Sequence, residues 1–453
     1  MEQELTVKIE KLSSDGCGIA KHNSIIIFVD KTCPEDICKI KIIKKTKNYY
    51  IGEVLEILKK SPHRIKPFCP MQNVCGACQL QFIDYDYQLK LKKQIVEDAM
   101  RGLDVKILNT IPSPEQKEYR HKIQYPIRQT QVSKRILAGY FKPKSHDIVN
   151  IKYCPIQPSI CDEIIEFIRE NAPKYKITGY NEERHQGLLR HVIIRSSAKN
   201  KDNLVVLVIN AEKTPERIKD FATKIFDTFD KVVGITVNFN NKKTNLIMTN
   251  QTELLIGKDY IQESLCDTTF KIGSNTFFQV NPTSANNIFK YVKNYIKDNF
   301  TNPTLLDAYA GISAFGLVLA DVCKNVVSVE ECSASVNLAK DVKKLNNIKN
   351  IELFNEDCSK YLQTKSETDN KCFDVTILDP PRKGCSIESL KYSLKLTKSK
   401  IIYVSCNPAT LARDLKILIN KGAKIESIQP FDLFCHTYHI ENVAIIDVSN
   451  CIQ

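Results

Sequence analysis

Cys406 is the residue in this 453-residue chain whose setting points most directly to chemistry. Ile401-Ile402-Tyr403-Val404 has β-strand composition and runs into the turn Ser405-Cys406-Asn407-Pro408, and a helical pattern follows from Leu411 to Asn420. A thiol at the carboxyl end of a strand sits where open α/β sheets hold their ligands. The positive end of the following helix favours the thiolate, which is the nucleophilic form. Most buried cysteines are only small hydrophobes, so a reactive thiol needs partners. Asp379-Pro380-Pro381-Arg382 closes the preceding apolar strand, and Phe434-Cys435-His436-Thr437-Tyr438-His439-Ile440-Glu441 brings an acid that can act as a base, with two histidines nearby. A nucleophilic thiol, a carboxylate base and a group donor make one coherent reaction class.

The elements upstream suggest the donor. Leu305–Ala308 reads as a strand, followed by Tyr309-Ala310-Gly311-Ile312-Ser313 and a helix from Ala314 to about Val322. A second strand, Asn325–Val329, ends in Glu330; a helix over Ala334–Leu345 follows, then Ile351–Phe354 leading to Asn355-Glu356-Asp357, and the strand Phe373–Leu378 ending in Asp379. Strands alternating with helices predict a parallel, doubly wound sheet, with the strand-end acids along one crevice. Asp307 and Gly311 belong to its first turn, and Glu330 is placed to bond a ribose diol. No full G-x-G-x-x-G is present to cradle a pyrophosphate. S-adenosylmethionine, a nucleoside without phosphates, therefore fits better than NAD.

The first 60 residues differ in kind. Strand patterns at Leu5–Ile9, Ile25–Val29, Ile37–Ile43 and Tyr50–Ile57, with turns at Asp15-Gly16-Cys17-Gly18 and Pro34-Glu35-Asp36, predict a small closed barrel of the OB type. Lys39, Lys41, Lys44, Lys45 and Lys47 followed by Tyr49 and Tyr50 would supply phosphate contact and base stacking. Next come Cys69, Cys75 and Cys78 in a C-x5-C-x2-C array, with Cys154 in Tyr153-Cys154-Pro155 as the best fourth ligand. Four thiols fit tetrahedral zinc or an iron–sulfur cluster, and the single CxxC with a distant Cys-Pro resembles the cluster more. An amphipathic helix is expected over Tyr85–Leu103 and a strand-rich, basic region over 106–275. There Tyr119-Arg120-His121-Lys122, Gly139-Tyr140-Phe141-Lys142 and Leu188–Arg195 can present a cationic, stacking surface.

The expected domains are therefore 1–60, 61–275 and 276–453, with the helix near 85–103 available to pack on the last. The net charge of +13 suits a polyanionic partner, although a Lys-rich composition alone would also produce it. No apolar run is long enough to span a membrane and the start is not a signal peptide, so a cytoplasmic protein without membrane partners is expected. Seventeen cysteines in that compartment point to metal or catalysis rather than disulfides.

Together these motifs resemble the RNA uracil-C5 methyltransferases, in their 23S rRNA branch, along essentially the whole chain. The resemblance is carried by DAYAG (307–311), FFQVN (277–281), DPPRKG (379–384), SCNPATLARD (405–414) and HTYHIENV (436–443), with a barrel that looks like a TRAM domain. It implies an α/β fold with a Rossmann-like class I methyltransferase sheet behind the barrel and a strand-rich central domain. It further implies Cys406 as nucleophile, Glu441 as proton acceptor, and S-adenosylmethionine contacts from Gln279, Tyr309, Glu330, Asp379 and, more weakly, Asp357. Cys69, Cys75, Cys78 and Cys154 match the family's four [4Fe-4S] ligands. The barrel and these cysteines favour 23S rRNA over tRNA as the RNA partner, bound by a monomer. Ala310 and Ser313 stand where Cys and Gly are usual; Ser313 can cap the following helix. Arg382 stands where amino-methyltransferases with a D/N-P-P-Y turn carry a stacking aromatic.

Overall fold

The structure is a computed structural model that describes residues 3–451. Its N-terminal part is one six-stranded sheet in the order Glu4–Lys8, Ile37–Lys45, Tyr49–Lys59, Ile25–Val29, Gly18–His22, Lys11–Leu12. The two end strands are almost contiguous in the chain, so the sheet must roll back on itself. Alternation sets the faces: Cys38, Ile40 and Ile42 point into a core with Val7, Ile9, Ile27 and Val29. Lys39 and Lys41 fall on the other face of that strand. The four expected strands are present, the first shifted by one residue and the last two longer than expected, with Gly18–His22 and the two-residue Lys11–Leu12 in addition.

The central sheet has the order Thr252–Gly257, Val232–Phe239, Asn203–Ile209, Leu189–Ser196, Lys122–Gln129, Ile136–Ala138. Helices Ser159–Asn171 and Glu216–Thr228 pack on it through Ile164, Ile165, Ile168, Phe221 and Ile225. The expected cationic surface on this sheet is not formed by Leu188–Arg195. Arg190 is only 4% exposed and Arg195 3%. Arg190 donates to the carbonyls of Asn240 and Lys242, both at 2.7 Å, and Arg195 to those of Ser274 and Thr276. A guanidinium with five donors can enter a core if carbonyls meet it, and here both arginines pin loops. Tyr119 and His121 are buried as well.

The C-terminal sheet has seven strands, in the order Ile351–Asn355, Asn325–Glu330, Thr304–Ala308, Phe373–Leu378, Thr397–Ser405, Glu441–Asp447, Lys424–Phe431. The first five run parallel, Glu441–Asp447 is antiparallel to them, and Lys424–Phe431, antiparallel in turn to Glu441–Asp447, runs in the direction of the first five. Order reverses at Thr304–Ala308, the position where an open α/β sheet forms its ligand crevice. Two apolar clusters cover the faces of this sheet, and both draw in residues from outside 276–453. The helix Tyr85–Ala99, capped by Asp84 on the Tyr87 N–H (2.8 Å), buries Leu91, Ile95 and Val96 against Leu411, Leu415 and Ile428. The hairpin Tyr260–Leu265/Thr268–Gly273 shares a core with Phe278, Ile288 and Phe289. A boundary at 275 therefore cuts through one hydrophobic core. Among the described residues no helix is long and apolar enough to cross a membrane.

Candidate active site

The carboxyl edge of the parallel strands opens into a cavity of about 530 Å³. Cys406 reaches it because its strand ends at Ser405 and Asn407 starts the helix Pro408–Ile419, its side chain accepting from the Ala409 N–H (3.1 Å). Glu441 arrives by a different rule. Its strand is antiparallel to that of Cys406 and pairs Asn442 with Ser405, so its amino-terminal residue stands beside the carboxyl end of its neighbour. One register step further sets Glu441 opposite Cys406. Asp379, at the end of the strand that pairs Ala308 with Leu378, stands next to Tyr309 in the same way. Cys406, Glu441, Asp379, Tyr309 and Gln279 all line the cavity.

Two expected cofactor contacts do not line it. Glu330 accepts from the N–H groups of Gly311 (2.9 Å) and Cys332 (2.8 Å), so it reaches the rim by holding the first turn. Asp357 is exposed and caps the helix Cys358–Thr368 through the Lys360 N–H (2.8 Å). Its oxygen serves that orphan donor rather than the crevice.

The first turn is built on backbone that side chains usually avoid. Tyr309, Gly311 and Ser313 all lie in the left-handed region, at φ +60°, +55° and +56°. Ser313 stands at the N-cap but makes no capping bond; its hydroxyl donates to Ser328 (2.7 Å) instead. Beneath it Asp307 is buried, with Oδ2 accepting from the Gly316 N–H (2.9 Å) and Ser328 Oγ (3.3 Å), while Oδ1 has no partner. A Cβ added to Gly311 would meet nothing within 4 Å. An unpartnered buried carboxylate oxygen and open space over a glycine are what a bound nucleoside with hydroxyl donors would use.

Burial sets the electrostatics. Glu441 is pushed up to about 8 by burial and then by the charge of Asp379, with Arg382 opposing. Burial raises Asp379 to about 7, and raises Asp307 to about 7 against the Gly316 N–H bond. The Cys406 thiol is raised by burial and by Glu441, and lowered by Arg382, which bonds it. Arg382 is thus the cation shared by Cys406 and Glu441. Its own loop is tied to the SCNP turn, because Asn407 Nδ2 (3.3 Å) and Thr410 Oγ1 (3.2 Å) both donate to the Arg382 carbonyl. The sequence offered only one signal for this role, a cation directly after Asp379-Pro380-Pro381. Of the two histidines, His439 lines the cavity at 3.2 Å from Arg382 Nη2, held down to about 4 by burial and so neutral. His436 does not line it. Its carbonyl accepts the Gln79 and Leu80 N–H groups at 2.9 and 2.8 Å, tying the cysteine loop to the segment that leads to Glu441.

Cys69, Cys75, Cys78 and Cys154 converge on one small pocket, 75 residues of chain having folded between the third and the fourth. Among the described residues, however, no group of three or more His, Cys, Asp or Glu side chains is arranged to hold a metal ion, so the expected centre has thiols gathered but not in chelating geometry. Burial raises the Cys75, Cys78 and Cys154 thiols.

A parallel sheet with its cavity at the switch point, an acid beneath the first turn and no pyrophosphate loop is the architecture of a class I methyltransferase. The family described as tRNA (Uracil-5-)-methyltransferase matches residues 84–447, and the TRAM domain matches 2–55. An uncharacterized RNA methyltransferase of Halalkalibacterium halodurans is 36% identical over 449 residues, covering 98% of this chain and 97% of that one. Another from Clostridium tetani is 34% identical over 441 residues, covering 97% and 95%. The crystal structure of Pyrococcus abyssi tRNA (uracil-54, C5)-methyltransferase in complex with S-adenosyl-L-homocysteine superposes with a TM-score of 0.79 at 28% identity, over 98% of this chain and 100% of that one. The chain belongs to the tRNA/rRNA uracil-5-methyltransferase family, with an N-terminal TRAM domain, and is an S-adenosylmethionine-dependent RNA methyltransferase.

Proposed function

We propose that this protein methylates C5 of a uridine in 23S rRNA, as a cytoplasmic monomer, with Cys406 as nucleophile and Glu441 as proton acceptor. The observation that carries the site assignment is the antiparallel register that sets Glu441 opposite Cys406 on one cavity. C5 of uracil is too weak a nucleophile to take a methyl group unaided. Attack of the Cys406 thiolate on C6 forms a C–S bond and moves electron density to C5 as an enolate. S-adenosylmethionine supplies the methyl group, activated on a sulfonium. Once C5 has taken the methyl, Glu441 removes the C5 proton, the C5–C6 double bond re-forms and the Cys406 thiolate leaves. Arg382 steadies both anions. Asp379, Tyr309 and Gln279 would hold the methyl donor in the cavity, with Glu330 setting the turn through Gly311. The target base must leave its stack to arrive, at a cost of a few kcal/mol. Lysines and tyrosines of the barrel suit phosphate and base contact on the way.

The barrel does not itself separate rRNA from tRNA, because the Pyrococcus abyssi protein, named for tRNA, aligns over 98% of this chain. That match favours tRNA as the second reading. The four cysteines are a donor set suited to a [4Fe-4S] cluster, and half-buried Arg120 beside them would offset its negative charge. It would hold together the loop that meets His436; no step of the reaction uses it. Iron and sulfide content after anaerobic purification tests this, and stoichiometric zinc alone would overturn it.

Cys406→Ala should abolish methyl transfer while RNA binding persists, and Glu441→Gln should trap a covalent RNA–protein adduct on denaturing gels. Turnover by Cys406→Ala, or free product release by Glu441→Gln, would refute the respective role. Mapping 5-methyluridine in rRNA and tRNA of cells lacking the protein decides the substrate.

A further inference from the structure

A second cavity, of about 210 Å³, lies in the central domain. Its floor is the strand segment Pro126–Arg128 with Arg190 and His191 of the neighbouring strand, and the loop around Leu246 forms a lip. The volume falls below the ~300–1,000 Å³ of sites for drug-sized ligands and suits one small flat group. Its walls are flat too. The Phe141 and His146 rings stack at 5.2 Å and 17°, and the Arg190 guanidinium lies 4.3 Å over the Tyr180 ring. Polar edges are available between them: the Glu182 carboxylate accepts at 3.1 Å from His146 Nδ1, with an Arg128 nitrogen 4.0 Å away. Arg190 and His191 each carry a buried nitrogen, Nε and Nδ1, with no partner. Leu246 is 57% exposed at the mouth. The segments that frame it expose Lys134, Arg135, Lys142, Lys144, Arg184, Lys242 and Lys243, against Asp147 and Glu183. Aromatic and guanidinium planes with hydrogen-bonding edges inside a cationic rim are the features that take an unstacked base while the rim holds its phosphates.

We infer that this cavity binds a single unstacked nucleobase of the substrate RNA, a second base besides the uridine that enters the catalytic cavity. The inference rests on RNA being the substrate. An enzyme that pulls one base from its stack gains register by gripping another, because each stacked base adds affinity without touching the reacting atoms.

The test uses the full-length protein and total RNA from cells lacking it, read by binding and by methyl-transfer kinetics. Arg128→Ala/His146→Ala removes a cation and a ring from the cavity while sparing Arg190, which pins the 240–244 loop. Leu246→Asp, at an exposed position, places a charge at the mouth. Each variant should raise the RNA Kd and KM by about tenfold, the loss of roughly one stacked base, with kcat unchanged. Unchanged Kd and KM in Leu246→Asp and in whichever cavity variant folds would overturn the inference. Binding of free AMP, GMP, CMP or UMP at micromolar concentration, lost in the variants while KM for RNA stays constant, would reassign the cavity to soluble nucleotides and overturn it too. Failure of the reaction assignment reads differently: the wild type would then bind RNA without transferring methyl groups, and the Kd comparison would still stand.

Discussion

Replacing Arg382 should move the pH dependence of C5-proton removal to higher pH. Glu441 is pushed up to about 8, by burial first and by Asp379 second, and Arg382 is the cation that opposes both. At pH 7 only about a tenth of the molecules then carry the carboxylate, and proton removal should climb roughly tenfold per pH unit until it levels near pH 8. An opposite charge close to a carboxylate lowers its pKa by ~1–3 units. Arg382 is exposed, so solvent screens it and the low end applies. Arg382→Gln should therefore raise the inflection by about one pH unit, and Asp379→Asn, which removes a like charge, should lower it. The assay is tritium release from RNA labelled at C5 of uridine, followed in single turnover with saturating S-adenosylmethionine. Both variants should lose rate at every pH, since Arg382 also bonds Cys406 and Asp379 lines the cavity. Only the position of the inflection is read. A wild-type inflection below about pH 6, or an Arg382→Gln inflection that fails to rise, would refute the assignment of Glu441 as a base tuned by this pair.

Glu441 also makes stability depend on pH. Its folded pKa is raised from 4.5 to about 8, so the stability it contributes is complete below about 4.5 and lost as pH rises through 8. Relative to Glu441→Gln, the wild type should lose up to about 1.4 kcal/mol per pH unit across that window and then level off, read from denaturant midpoints; a difference that does not change with pH would exclude this. Lys92 and Asp432 form a pair at 2.6 Å with neither side chain exposed, and Tyr85 donates to the same carboxylate at 2.7 Å. Lys92→Met leaves Asp432 buried and unpaired and should cost about 3–5 kcal/mol, with Asp432→Asn recovering part of it; a loss under about 1 kcal/mol would show that water reaches the pair. A Cβ on Gly316 would stand 2.6 Å from Ser313 Oγ, 3.0 Å from Asp307 Oδ2 and closer still to Ser328 Oγ. Gly316→Ala should therefore weaken S-adenosylmethionine binding at least tenfold by calorimetry, and an unchanged Kd would remove Asp307 from the cofactor side.

Much of this protein is decided by local chemistry that a sequence displays. An apolar strand, a turn and a capped helix around Cys406 need only neighbouring residues, and so do the alternating strands of the barrel and the βα repeat that forces a parallel sheet. The resemblance of DPPRKG and SCNPATLARD to known motifs named the reaction, and the structure adds why they travel together: Asn407 and Thr410 donate to the Arg382 carbonyl. Other features depend on which segments meet, and only the tertiary structure decides them. Arg190 and Arg195 look like surface cations in a basic strand, yet carbonyls from distant loops bury them. Glu330 and Asp357 look alike at two strand ends, but one holds Gly311 and the other caps its own helix. The step from thiol to active site is of the same kind. Cys406 and Glu441 are adjacent because a final strand enters antiparallel with Asn442 opposite Ser405, and strand direction and register are properties of the assembled sheet.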